Sequence, residues 1–261
     1  MGKCLVTRLT GVVNNDSLLK LGELRIAIKA TETSQVLFQL NGVKYSCNVD
    51  TIAGEKEVPA NTVYNATGWT DIKSKNAGNA VFSFVDKYNL SSIHSNLEID
   101  IKGGLSYLTN CNQFTIKSNL GELIDLSDFS NSPALASLRL NGNITGDLAS
   151  LNKCTALTSL SLNGNITGDL ATVSPKAYLV SVTTPNTLTW SNRENSKTLF
   201  SLTGNPKVRN IDKMLQDLSN CTIVSTDSYK QIIATGTRTS ASDAAVQTLQ
   251  SKGYTVSITP A

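Results

Sequence analysis

The residues able to do chemistry are few, and their spacing serves it poorly. The chain has one histidine, His94, set between Ile93 and Ser95 in a stretch rich in Ser and Asn. A histidine-based nucleophile triad needs one well-placed imidazole, and no nucleophile-elbow or oxyanion pattern accompanies this one. His94 therefore reads as a surface or cap residue. Two carboxylate pairs are better candidates: Glu98 with Asp100, able to share one face of a strand, and Asp125 with Asp128. Glycoside hydrolysis uses two carboxyls about 5–9 Å apart, one of them a general acid. Both pairs are explained at less cost as solvated faces or turn caps. Asp147 and Asp169, offset by 22 residues, read as one acid per repeat turn. The five cysteines include no Cys-x-x-Cys pair, which removes the usual zinc and thiol-redox patterns. No phosphate-binding loop, dinucleotide fingerprint or calcium-loop spacing is present. The expectation is no catalytic residue, no metal and no cofactor.

The elements that must position any site are set by a repeat. Residues 135–149 read LASLRLNGNITGDLA and residues 157–171 read LTSLSLNGNITGDLA, an offset of 22. Each copy fits L-x-x-L-x-L-x-x-N, through Leu135, Leu138, Leu140 and Asn143, then Leu157, Leu160, Leu162 and Asn165. The segment resembles a leucine-rich repeat of roughly the plant type, whose period lies within about 20–29 residues. Alternation in Leu-x-Leu sends two side chains inward along a short strand and leaves the residues between them in solvent. One coil cannot bury its own leucines, so coils must stack. Ile144 and Ile166 directly follow the Asn, one place earlier than the usual leucine, so the turn is expected to differ in detail from the family's.

The same phase extends outward through Cys111, Ser132, Cys154, Lys176 and Cys221, which the sequence aligns at one repeat position. The three cysteines are expected to be small, buried, reduced thiols. Leu97–Ile101 reads as an early strand and Val81–Val85 as the start of a cap, and Val208–Leu218 reads as a helix. Ser242-Asp243 is placed to start a second helix running through Leu249, with Gly253 at its stop and a last strand over Tyr254–Ile258.

Residues 1–50 have a different rhythm. Val36-x-Phe38-x-Leu40, Asn41-Gly42 and Val43-x-Tyr45-x-Cys47 form a strong hairpin signal, because Asn-Gly suits a two-residue type I′ turn. That register would face Leu40 to Val43, Phe38 to Tyr45 and Val36 to Cys47, with Leu24–Ile28 and Cys4–Val6 as partner strands. Val36, Phe38, Leu40, Val43 and Tyr45 then make a candidate assembly face. Residues 50–80, with Gly54, Pro59, Gly68 and Gly78, read as a connector. The expected architecture is α/β with a β-rich N-terminus. Residues 1–80 would form a small antiparallel β-domain for attachment and oligomerisation, and residues 81–261 a short leucine-rich-repeat solenoid on a parallel sheet, with capping units.

This layout, with MGKCLVTRLTGVVNNDSLLKLGELRI near the start and GTRTSASDAAVQTLQSKGYTVSI near the end, resembles leucine-rich-repeat virion proteins of tailed phages that infect gut bacteria, including the crAss-like group. The resemblance implies a head or tail fibre or a capsid decoration. Its N-terminal module would dock onto other virion proteins and its solenoid would project toward a host surface glycan or protein. It also implies a homo-oligomer, dimer or trimer, and a place in the virion. Two alternatives stand beside it: a bacterial leucine-rich-repeat surface or interaction protein, and a glycan-hydrolysing spike.

Composition bounds the partners. Charged residues make up 16% of the chain and the net charge is +3, from 23 basic and 20 acidic residues with no basic run. This argues against nucleic acid, whose binders cluster Lys and Arg on one face. No stretch approaches ~18 consecutive apolar residues, the length of a membrane span. The start reads as neither a secretory signal nor a myristoylation site, since Val6 stands where Ser or Thr is required. The candidate ligand face comprises the residues between the inward leucines: Thr115, Lys117, Ser137, Arg139, Asn141, Ser159, Ser161, Asn163, Ser181 and Thr183. Trp190 and Arg193, with Tyr178, are candidates for a stacking platform at its flank, although a Trp there more often packs a degenerate coil, since large aromatics usually serve burial first.

Overall fold

A computed structural model describes residues 24–30, 35–47, 51–53, 56–58, 63–74, 78–84, 90–102, 111–224 and 228–261; before residue 111, and over 116–122, it describes the backbone alone. The strands are β1 (Leu24–Ala30), β2 (Gln35–Cys47), β3 (Thr51–Ala53), β4 (Lys56–Val58), β5 (Val63–Ser74), β6 (Gly78–Phe84), β7 (Leu90–Lys102), β8 (Gln113–Asp125), β9 (Ser137–Asp147), β10 (Ser159–Thr167), β11 (Leu179–Thr183), β12 (Thr187–Leu188), β13 (Thr198–Leu199), β14 (Ser201–Thr203), β15 (Lys207–Val208), β16 (Ile223–Val224), β17 (Gln231–Thr235) and β18 (Thr255–Thr259). Two helices, α1 (Ile211–Asn220) and α2 (Asp243–Ser251), precede β16 and β18.

From β7 onward the pairing is parallel, running β7-β8-β9-β10-β11-β14-β17-β18, whereas β1 to β6 pair antiparallel with one another and with β7. The repeat sets the register. Leu138 lies beside Leu160 and Leu140 beside Leu162, and both rows continue into Val180 and Val182 on β11. All six side chains are at most 2% exposed. Burying each contributes roughly 1.5–3 kcal/mol, which a single coil could not collect. Ile144 and Ile166, the residues that depart from the family pattern, are core as well. The result is a solenoid-like α/β arrangement built on a mostly parallel sheet.

The Thr-Gly-Asp segment of each copy locks one coil to the next. Asp125, Asp147 and Asp169 each cap a single 3-10 turn, and their carboxylates accept from the N–H groups of Ser127, Ala149 and Ala171 at 2.8–2.9 Å. Gly146 and Gly168 have φ of +124° and +105°. Each packs so closely on the previous coil's Asp or the residue after it that a Cβ would collide with Asp125 and Leu126, or with Asp147. The threonine hydroxyls complete the lock: Thr145, Thr167 and Thr189 each donate to a backbone carbonyl of a neighbouring coil.

Both expected helices are present, within a few residues of the expected bounds. In α1 the buried positions Ile211, Met214, Leu215 and Leu218 recur at helical spacing, so one face packs on the core. Lys252 Nζ donates to the carbonyls of Ser219 and Cys221 at 2.6 and 2.9 Å, closing the end of α1. Gly253, at φ +87°, stops α2 as expected.

Four expectations need correction. There is no hairpin turn at Asn41-Gly42. β2 runs straight through it, pairing Val36 with Ile72, Phe38 with Thr70 and Tyr45 with Tyr64 of β5, with a register shift between Asn41 and Val43. The positive-φ preference of Asn-Gly serves a bulge as well as a turn, so the facing pairs of the expected assembly face do not form. The side chains of Val36, Phe38, Leu40, Val43 and Tyr45 lie outside the described residues, as does the Cys4–Val6 strand. The connector over 50–80 contains β3, β4, β5 and the start of β6 instead. Gly68 is a strand residue opposite Leu40, next to that bulge, where a glycine is tolerated.

The last two corrections concern the cysteine phase. Strand register puts β11 20 residues after β10, with Ser159 beside Leu179. Ser174 thus takes the position of Ser132 and Cys154, and it is buried, while Lys176 is exposed. Likewise Gln113 pairs with Ser137, which sets Cys111 level with Leu135 rather than with Ser132. Cys111, Cys154 and Cys221 are all buried free thiols, so their expected burial holds.

Candidate ligand face

Three ladders of outward side chains cross the parallel sheet. Gln113, Ser137, Ser159 and Leu179 form the first, and Ser201, next in register, is buried instead. Thr115, Arg139, Ser161, Ser181 and Thr203 form the second, and Asn141, Asn163 and Thr183 the third. Strands about 4.8 Å apart present the ladders as rows of mainly hydroxyl and amide groups, interrupted by Leu179 in the first and Arg139 in the second. Arg139, Asn141, Asn163 and Thr183 are exposed; Thr115, Ser137, Ser159, Ser161 and Ser181 are half-buried. Lys117 belongs to β8, but its side chain lies outside the described residues.

Strand register sets these residues on one side of the sheet, and that side continues beyond them. Thr203 extends the second ladder, and Gln231, Ile233 and Thr235 of β17, then Thr255, Ser257 and Thr259 of β18, alternate with buried or partly buried neighbours in the same way. The signal was period-two alternation, hidden by reading these segments as caps. Arg139 is the one charge among the described residues of these three rows, and Lys207 of β15, exposed and paired with Thr235, adds a second cation at their flank. The rows therefore offer hydrogen bonding beside a little positive charge, with no carboxylate among their described residues.

Trp190 and Arg193 do not belong to it. They are 1% and 2% exposed, and both serve the interior. The Trp190 indole N–H donates to Asp217 Oδ2 at 2.9 Å. The Arg193 guanidinium lies 4.7 Å from the centre of the Phe200 ring and donates to the carbonyls of Ala171, Val173, Ser174 and Thr198. The chain there carries Thr189-Trp190-Ser191 where earlier coils carry Thr-Gly-Asp. The buried guanidinium satisfies carbonyls that would otherwise be stranded, which an unmade hydrogen bond makes costly. Tyr178, the third member of that platform, is half-buried.

Of the carboxylates weighed for catalysis, Asp125 and Asp128 are engaged as caps. Asp125 and Asp128 form a capping box: Asp125 receives the Ser127 N–H, and Asp128 Oδ2 receives the Asp125 N–H at 3.3 Å. Burial raises the Asp128 carboxyl above its ordinary value, the Asp125 N–H pulls against this, and the Asp125 charge adds to the rise. Asp169 also accepts from the Ser191 N–H and hydroxyl. Glu98, Asp100 and His94 lie on β7, with side chains outside the described residues. Among the described residues no group of three His, Cys, Asp or Glu side chains is arranged to hold a metal ion, and no helix is long and apolar enough to cross a membrane. Neither models of known protein families nor curated protein sequences match the chain.

Proposed function

We propose that this chain is a binding and structural protein. In this reading it is a leucine-rich-repeat solenoid mounted on a virion as a head or tail fibre or decoration of a tailed phage. Residues 1–80 would carry it on the particle, and the outer sheet face would meet a host surface glycan or protein. The observation that carries the reading is the composition of that face: rows of mainly Ser, Thr and Asn around an exposed arginine, Arg139. Such a surface suits a partner recognised through hydrogen bonds. The period-22 Leu and Asn pattern supports the leucine-rich-repeat assignment. The engagement of Asp125 and Asp128 as caps weighs against the hydrolytic spike.

The test is a binding and turnover screen of the full chain on surface polysaccharides and intact cells of gut bacteria. Retention on a subset of strains, weakened about fivefold or more by Arg139→Ala, together with no release of reducing ends, is the expected result. Release of reducing ends that disappears in Glu98→Gln or Asp125→Asn would replace this reading with the enzymatic one.

A further inference from the structure

Two margins of the sheet are built differently. At one end lies β4, three residues long and carrying Lys56 and Glu57. Short strands and charges are how natural sheets discourage pairing at an edge. The order runs out at its other end through β15 and β12, and β18 branches from it on β17: Thr255-Val256-Ser257-Ile258-Thr259, with no charge, no proline and no bulge within it. It pairs in parallel along its full length with β17, and its far side has no partner among the described residues.

The backbone bonds fix which groups face outward. The Thr255 N–H donates to the Lys230 carbonyl and the Thr259 carbonyl accepts from Gly236, both at 2.9 Å. The odd-numbered residues therefore spend their N–H and C=O groups on β17. Period two along a strand then turns those of Val256 and Ile258 to the open edge. The side chains follow the complementary rule: Thr255, Ser257 and Thr259 are exposed on the outer face, while Val256 and Ile258 pack against the core.

The strand is also nearly palindromic. Antiparallel pairing of two copies about Ser257 sets Thr255 opposite Thr259, Val256 opposite Ile258, and Ser257 opposite itself. Val256 of one copy and Ile258 of the other then exchange both N–H···O=C bonds, using the amide groups left on the edge. The two Ser257 residues form the close, non-hydrogen-bonded pair, with Cα atoms about 4.5 Å apart. Thr–Thr and aliphatic cross-strand pairs are favourable, and a neutral strand raises no like-charge penalty against itself.

We propose that β18 is a self-association edge: two copies of this chain join antiparallel through Thr255–Thr259 into a two-fold dimer, extending the sheet across the interface. The contact is independent of what the outer face binds and of any assembly through residues 1–80. A single strand pair is smaller than the ~1,200–2,000 Å² of a standard interface, so the association is of moderate strength and depends on concentration.

Sedimentation equilibrium of the full chain tests it, using Ser257→Lys, Ser257→Glu and, as a control on the same face away from the edge, Thr183→Lys. The expected result is a reversible dimer. Each Ser257 variant alone should weaken it roughly fivefold to tenfold, because it places like charges opposite each other, and an equimolar mixture of the two should restore it as a heterodimer. Thr183→Lys should leave it unchanged, and matching circular dichroism spectra should show that the variants fold. A chain that stays monomeric at the highest soluble concentration overturns the proposal. So does an oligomer insensitive to Ser257→Lys, or one weakened equally by Thr183→Lys.

Discussion

The indole N–H of Trp190 and the carboxylate of Asp217, 27 residues apart, meet at 2.9 Å in the interior where α1 packs against the coils. The same oxygen accepts the Arg193 backbone N–H at 3.2 Å, and the other carboxylate oxygen is paired with Lys213. One side chain thus ties the irregular coil at 189–193 to the helix that closes it. Asp217→Ala leaves two buried donors unsatisfied and should lower stability by about 2–4 kcal/mol. The urea midpoint should fall at unchanged slope, and Asp217→Asn should recover part of the loss. A midpoint within error of the parent would mean that water substitutes for the carboxylate.

The Gly–Asp lock predicts intolerance of a single methyl group. Gly168→Ala puts an L side chain at φ +105° and drives its Cβ into the Asp147 carboxylate, a loss of roughly 1–3 kcal/mol. Asp147→Ala removes the cap of a 3-10 turn and an exposed hydrogen bond from the Thr167 hydroxyl, and should cost about 1 kcal/mol. Because the two residues touch, the double variant should lose less than the sum of the singles. Additive losses would sink the lock as described.

Cys154 is buried, and burial pushes its thiol up to about 11, partly offset by a hydrogen bond with the Ser132 backbone. The reactive species is the thiolate, so at neutral pH this cysteine should react with a thiol reagent only when the fold opens. Labelling followed by mass spectrometry should show a rate that tracks unfolding across a urea series. Rapid labelling in buffer alone would contradict the packing described.

Acid sensitivity has a local source in Asp212. The Ser242 hydroxyl donates to it at 2.6 Å and the Thr239 hydroxyl at 2.6 Å, with the Thr239 N–H at 3.0 Å. In that order of cause they hold its carboxyl below the ordinary 3.8. A group with a depressed folded value gives stability that is full above the unfolded value and is lost as pH falls through the folded one. The gap in unfolding midpoint between the parent and Asp212→Ala should therefore be widest near pH 7 and should narrow below about pH 4. Asp128, held above its ordinary value mainly by burial, acts in the opposite sense: it costs stability at neutral pH and is relieved as pH falls.

How much was legible in the sequence divides at the repeat. Leu138, Leu140, Leu160 and Leu162 announce the strand register directly, because one near-identical segment recurs and period-two alternation has one physical reading there. The buried role of Arg193 was not legible. A guanidinium enters a core only when several carbonyls converge on it, and those of Ala171, Val173, Ser174 and Thr198 converge through folding. Asn41-Gly42 misled because one dipeptide suits two geometries, and the choice lies with the β5 partner strand. Lys176 misled because a fixed offset of 22 was carried across a coil of 20 residues, and strand pairing, not counting, sets the phase.

The near-identity of 135–149 and 157–171, joined by the same Gly–Asp contact, makes the coil an exchangeable unit of length. Recombination between the two coding segments would delete or add one whole turn while each new junction repeated an existing one. Every turn gained would widen the sheet by about 4.8 Å and add another row to its outer face. A lineage carrying this chain can therefore alter its reach and its valency in discrete steps, without redesigning either end.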